Sequence, residues 1–336
     1  MDAILTFGNW HWIALVGLIL LGLFMLWKGA DWLTDGAASL ALKYNINPLF
    51  VGLTILSIAT SMPEFITVLV SALGGNPDVG MGNIVGSNIC NIGLILGAAA
   101  LIYPLSVQTR LLRQELPFLL LVTLLFSFLA LNNLNRWEGL LLILIFALYL
   151  TYTIWQAKQE VSSGTADATV EDVTHNFNPI SSLRHCLFAL IGGAIVLSLG
   201  ANWLVESSVE MAHRLSVSPT LIGITVVAIG TSLPELAASI AAAAKKQGDL
   251  CTGNIIGSNI FNLLFVGGGA ASLLPLKVDP KLFRIEIPAM LIITAILFFF
   301  LYTKRKVTPC EGVLLLAGYT LIIALSTASQ FGKLGF

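Results

Sequence analysis

Residues 60–64 read TSMPE and residues 231–235 read TSLPE; residues 82–91, GNIVGSNICN, return as GNIIGSNIFN at 253–262. Every matched pair lies 171 positions apart, and an ungapped alignment of 48–97 with 219–268 is identical at 19 of 50 positions. A period this long marks the duplication of half a chain, not the short unit of a solenoid. The match continues outward. Gly29, Trp32 and Leu33 recur as Gly200, Trp203 and Leu204, and Arg113, Glu115 and Pro117 recur as Arg284, Glu286 and Pro288. Glu138-Gly139 recurs as Glu311-Gly312 after a two-residue slip.

The polar motifs are embedded in a chain of 336 residues that is 57% hydrophobic and only 10% charged. Soluble domains carry about 25% charged residues. Ten apolar runs, near 12–27, 48–72, 82–103, 115–131, 138–156, 185–205, 219–244, 253–274, 286–303 and 310–327, approach the length of a spanning helix. That length is about 20 residues. The runs lack the alternation of a membrane barrel. The expected fold is therefore an all-α integral membrane protein with ten transmembrane helices. No basic stretch precedes the first run, so it is expected to stay as a span and not to be cleaved as a signal peptide. Cys90, Cys186, Cys251 and Cys310 form no CxxC or Cys/His cluster, and a net charge of −1 gives no footprint for nucleic acid.

Each half holds five spans, so the second enters the membrane from the opposite side. The division is a first repeat over 10–156, a linker over 157–183 and a second, inverted repeat over 184–327. Arg136, Arg214, Lys277, Lys281, Arg284 and Lys333 share a side with the termini, and the other eleven of the 17 Lys and Arg lie opposite. By the positive-inside rule the termini are expected outside and the linker in the cytoplasm. The linker is short and polar and contains no calcium-loop pattern.

Pro63 and Pro234 sit inside the second and seventh spans, where a missing N–H and a crowding ring must kink or break the helix. Backbone carbonyls freed at such a depth need a partner, and a dehydrated cation is one. Glu64 and Glu235 follow directly, with Thr60, Ser61, Thr231 and Ser232 on the same turns. Asn83, Ser87 and Asn91 lie at steps of four along the third span. Carboxylate, hydroxyl, amide and carbonyl oxygens are ligands for hard cations such as Ca2+ and Na+. Thiolate and imidazole, preferred by Zn2+ or Cu2+, are missing from both centres.

Blander roles exist for each element. Ser61-x-x-Glu64 and Ser232-x-x-Glu235 fit capping boxes, and Gly82-x-x-x-Gly86 and Gly253-x-x-x-Gly257 fit close helix packing. Neither explains a glutamate in mid-span twice over, since a charge at the bilayer centre costs about 2.5–3.5 kcal/mol even on the lenient insertion scale. Asp35 and Glu206, also equivalent, read as solvated residues near helix ends, with charges at an ion entrance as the alternative. Asn88 and Asn259, about 100° round the helix from the adjacent serines, face either the site or a neighbouring helix.

At these motifs the sequence resembles the cation/calcium exchanger superfamily, whose two repeats carry a TSxPE-like and a GNxxGSN-like segment on adjacent helices. The resemblance covers almost the whole chain and implies a compact prokaryotic sodium/calcium exchanger built of two inverted five-helix repeats with broken helices at the midplane. It implies Glu64 and Glu235 as shared Ca2+ and Na+ ligands, with Thr60, Ser61, Thr231 and Ser232 supplying hydroxyls or carbonyls. Ser87, Asn91, Ser258 and Asn262 would complete the sites. Several members carry Asp in one repeat where this chain has Asn91 and Asn262, which lowers the charge of the site and argues against potassium cotransport.

The expected activity is antiport by alternating access, with no enzymatic step, no cofactor, no obligate protein partner, and Ca2+, Na+ and the lipid bilayer as the molecules contacted. The first and sixth spans are the expected gate, and a bacterial inner membrane is the expected location. A proton/calcium exchanger on the same scaffold is the alternative, because a buried carboxylate can also carry a proton. A passive cation channel fits less well, because the polar residues form one compact centre instead of a continuous path.

Overall fold

The computed structural model describes residues 11–163, 179–215 and 228–330. Among these, nine helices are long and apolar enough to cross a membrane, and a tenth is shorter. In chain order they are α1 (Trp12–Lys43), α2 (Pro48–Leu73), α3 (Pro77–Ile102), α4 (Leu111–Ala130), α5 (Arg136–Ser163), α6 (Leu183–Arg214), α7 (Leu233–Ala244), α8 (Gly248–Leu273), α9 (Glu286–Lys304) and α10 (Pro309–Gln330). The middle of the expected linker, 164–178, the start of the seventh expected span, 219–227, residue 10 and Lys333 lie outside the described residues.

Starts and stops follow local chemistry. The Asn47 side chain caps α2 by accepting from the Leu49 N–H at 3.0 Å, with Pro48 in the first turn where its missing donor costs nothing. Asn45, Lys246 and Arg305, at or just beyond helix ends, adopt positive φ values and turn the chain back.

The first and sixth spans run well past their expected ends at 27 and 205, because hydropathy falls where small and charged residues enter. Those residues are accommodated by packing. Gly22 lies against Gly200 and Leu204, Gly29 against Gly193 and Leu197, and Gly36 against Cys186 and Leu190. The numbering descends on one helix as it ascends on the other, so α1 and α6 are antiparallel. A Cβ on Gly29 would stand 2.7 Å from the Leu197 nitrogen, so the two backbones touch along this seam.

Asp35 and Glu206 are not helix-end residues. Both lie inside their helices, where the Lys245 Nζ at the end of α7 is 2.7 Å from Asp35 and 2.6 Å from Asp31, while Glu206 accepts from Asn202 at 3.0 Å.

The two repeats interlock. Gly97 of α3 packs on Gly312 of α10, and Gly268 of α8 packs on Gly139 of α5, so each repeat's third helix lies on the other's fifth. The loops repeat the exchange. A strand at Leu105–Ser106, β1, pairs antiparallel with Lys306–Val307, β2, in the register Leu105↔Val307, and Leu134 bridges Leu276 at the equivalent place. The third and eighth helices are thereby the most enclosed, with α5 and α10 the most exposed.

A candidate cation site between the repeats

In the first repeat the helix runs on through Pro63 from Ser57 to Leu73. Its irregularity comes earlier, as a π turn over Gly52–Leu56. Ser57 answers the loosened backbone by donating its hydroxyl to the Gly52 carbonyl at 2.6 Å and to the Asn254 carbonyl at 3.1 Å. In the second repeat the chain turns at Thr231 and Ser232, and α7 starts at Leu233 with Pro234 in its first turn. The expected interruption thus takes a different form in each half.

Glu64 is 1% and Glu235 0% exposed, so neither carboxylate is solvated from outside the protein. The capping boxes do not form. Ser232 is the N-cap of α7 but makes no side-chain cap; its hydroxyl points across to Glu64 Oε1 at 3.5 Å, while Ser61 donates to Glu235 Oε1 at 2.6 Å. The threonines cross in the same way. Thr60 donates to Asn254 Oδ1 at 3.3 Å, and Thr231 accepts from Asn83 Nδ2 at 3.1 Å. Each TSxPE segment is therefore tied to the opposite repeat, and each carboxylate accepts from the serine three residues before the other. Two buried carboxylates linked through such side-chain bridges require compensation by a cation or by protons.

The third helix of each repeat carries buried neutral polar residues. Both change from α to π spacing at the asparagine expected as a ligand, over Asn91–Ile95 and Asn262–Gly267, which re-aims the side chains there. Ser87, Asn91, Ser258 and Asn262 are all buried. Their side-chain polar atoms, together with Oε2 of Glu64 and of Glu235, have no hydrogen-bond partner among the described residues. A buried polar atom without a partner costs about 1–3 kcal/mol. Here the helices that carry such atoms pack against those that carry the two carboxylates, and an oxygen-coordinated cation between them would satisfy several at once. No group of three or more His, Cys, Asp or Glu occurs among the described residues, so the charge of this centre rests on the two glutamates.

Asn88 and Asn259 donate to the carbonyls of Ile84 and Ile255 on their own helices, at 2.8 and 2.7 Å. One buried network belongs to a single repeat's pattern and has no full counterpart in the other. Asn254 donates to Ser239 at 3.1 Å as it accepts from Thr60. Ser57 and Ser239 have Ala228 and Val68 at the equivalent positions, so the duplication in the sequence carries no signal for them.

The fold is that of a helical integral membrane protein with a buried polar centre between two inverted repeats. A profile of the sodium/calcium exchanger protein family matches residues 14–155 and 185–328, and the chain belongs to that family. It is 36% identical over 312 residues to the inner membrane protein YrbG of Escherichia coli, covering 92% of this chain and 95% of that protein. It is 29% identical to the sodium/calcium exchanger MaX1 of Methanosarcina acetivorans, covering 92% and 97%. The solved structure of the sodium-calcium exchanger NCX_Mj soaked without Na+ or Ca2+ superposes with a TM-score of 0.79 at 31% identity, over 93% of this chain and 98% of that one.

Proposed function

We propose that this protein exchanges Na+ for Ca2+ by alternating access, with Glu64 and Glu235 as ligands that both ions share. The observation that carries this reading is that the buried hydroxyl and amide atoms of Ser87, Asn91, Ser258 and Asn262, like Oε2 of both glutamates, have no hydrogen-bond partner among the described residues. Carriage of protons would need the carboxylates alone, whereas a dehydrated metal ion also needs neutral oxygens. Thr60, Ser61, Ser87 and Asn91 from one repeat and Thr231, Ser232, Ser258 and Asn262 from the other are the proposed supplementary donors, through side chain or backbone. MaX1 and NCX_Mj, both called sodium/calcium exchangers, support the same choice of ions.

Competition supplies the coupling. Two glutamates balance one Ca2+ or successive Na+ ions, and ions that need the same carboxylates exclude each other. The doubly negative centre without an ion is too costly to reorient, which suppresses leak. The α1–α6 pair, continuous along its glycine seam and outside the polar centre, is proposed as the element that moves. The termini are assigned to the outside and the linker to the cytoplasm, from the distribution of Lys and Arg. An inner-membrane location agrees with the description of YrbG.

The test is 45Ca2+ uptake into vesicles of purified protein loaded with Na+, against vesicles with equal Na+ on both sides and vesicles with a proton gradient alone. Uptake only with outward Na+ is expected. Uptake driven by protons would transfer the site to the proton/calcium reading, and uptake indifferent to any counter-ion would make the protein a channel.

A further inference from the structure

Among the described residues, two of the grooves between helices are lined almost wholly by apolar side chains. The larger, about 560 Å3 between α1 and α7, ends on Asp31 and Lys245, whose charges are already paired with each other. The second, about 390 Å3 between α9 and α10, is different at its mouth. Its wall is formed by Ile292 and Ile296 on α9 and Leu314 and Leu321 on α10, which are 59%, 40%, 59% and 59% exposed. Gly318 forms part of the lining, and a Cβ built there would meet nothing within 4 Å. At the mouth stands Arg284, exposed, with no ion pair among the described residues. Lys277 and Lys281 of the same loop are also exposed and also lack an ion pair among the described residues. The nearby acids are engaged locally: Asp279 accepts from the Lys281 N–H at 2.9 Å, and Glu286 accepts from Ser326 of α10.

We infer that this groove is a binding site for one anionic phospholipid, with an acyl chain between α9 and α10 and the phosphate held by Arg284. The dimensions agree. From Ile285 to Ile296 the helix rises about 16 Å, half of a hydrocarbon core of about 30 Å, so the groove accommodates the chain of one leaflet. The apolar wall excludes a free phosphate ion as the main occupant, and the unpaired guanidinium selects an anionic over a zwitterionic headgroup. The lipid would act as a wedge between two helices outside the exchange centre, so this site stands or falls separately from the choice of transported ions.

The experiment is native mass spectrometry of the full chain, purified in detergent and mixed with equal amounts of phosphatidylglycerol and phosphatidylcholine. The wild type is expected to retain one phosphatidylglycerol in preference by about fivefold, the factor equivalent to one basic residue at an anionic headgroup. Arg284→Gln should bring the two lipids to parity, Arg284→Lys should keep most of the preference, and Lys277→Gln should keep it. Gly318→Leu should release tightly bound lipid of both kinds. Should that variant fail to fold, the Arg284 pair decides alone. Equal retention by the wild type, an undiminished preference in Arg284→Gln, or a groove occupied by a second copy of the chain, seen as a lipid-free dimer, would each overturn the inference.

Discussion

Ser61 Oγ stands 2.6 Å from Glu235 Oε1, whereas its repeat equivalent Ser232 stands 3.5 Å from Glu64 Oε1. The centre is two-fold in composition and unequal in geometry. A short bond to a carboxylate contributes about 1.5–3 kcal/mol, and one at the outer limit of reach contributes little. Ser61→Ala should therefore lower the unfolding temperature of the detergent-solubilised protein, without added ions, by clearly more than Ser232→Ala. Equal shifts would show that the inequality has no energetic weight.

Glu64→Gln and Glu235→Gln each remove half of the formal charge of the proposed site while keeping its shape. Exchange should fall to the background of empty vesicles in both, with the proteins still inserted and monodisperse by size-exclusion chromatography. If either variant retained Na+-driven 45Ca2+ uptake at the wild-type rate, the shared-ligand mechanism would be wrong.

Asn254 joins Ser239 and Thr60, all three buried, whereas Asn83 is half-buried and joins Thr231 alone. Asn254→Ala takes from the buried Ser239 hydroxyl its donor and from Thr60 one of two acceptors, the Ser57 carbonyl remaining at 3.3 Å, and should destabilise by about 1–3 kcal/mol. Asn83→Ala should cost less than half of that. Comparison of thermal unfolding of the two variants, with Ser239→Val as an intermediate case, measures the difference; a greater loss in Asn83→Ala would remove the assigned role of the network.

Lys245 ties α7 to Asp31 and Asp35 of α1, with side chains about one-quarter to one-third exposed. Its repeat equivalent is Gly74, so no counterpart of this pair exists at the other end of the repeat axis. Part-exposed pairs contribute about 0.2–1 kcal/mol each. If α1 moves against α7 during exchange, Lys245→Met should raise turnover by about two- to tenfold, since the barrier loses up to two such pairs. Half-saturating Ca2+ should change little. Initial-rate measurements over a range of Ca2+ check this, and a change confined to affinity would dissociate α1 from the moving element.

Much of the protein is legible in its sequence for one reason: duplication in an apolar chain leaves polar residues few and paired. The matched positions alone single out Glu64 and Glu235, place Ser87 with Asn91 and Ser258 with Asn262, and require an inverted arrangement because each half has an odd number of spans. Burial of all six follows from their place in the structure. Hydropathy performed less well at the ends of α1 and α6, because it scores Gly29 and Asp31 as departures from a membrane helix. A backbone contact and a lysine from another helix make them part of it.

The tertiary structure decided which side chains meet. The spacing Ser-x-x-Glu is a local signal for a capping box, but Ser61 and Ser232 reach the glutamate of the opposite repeat, a contact that depends on helices 174 and 168 residues apart in the chain. The same holds for Thr60 with Asn254 and for the third helices lying on the fifth helices of the other half. Local sequence determines what a residue can bond, through its donors, acceptors and helical period. Only the packing of the two repeats determines which of those bonds form, and which buried polar atoms are left without a partner.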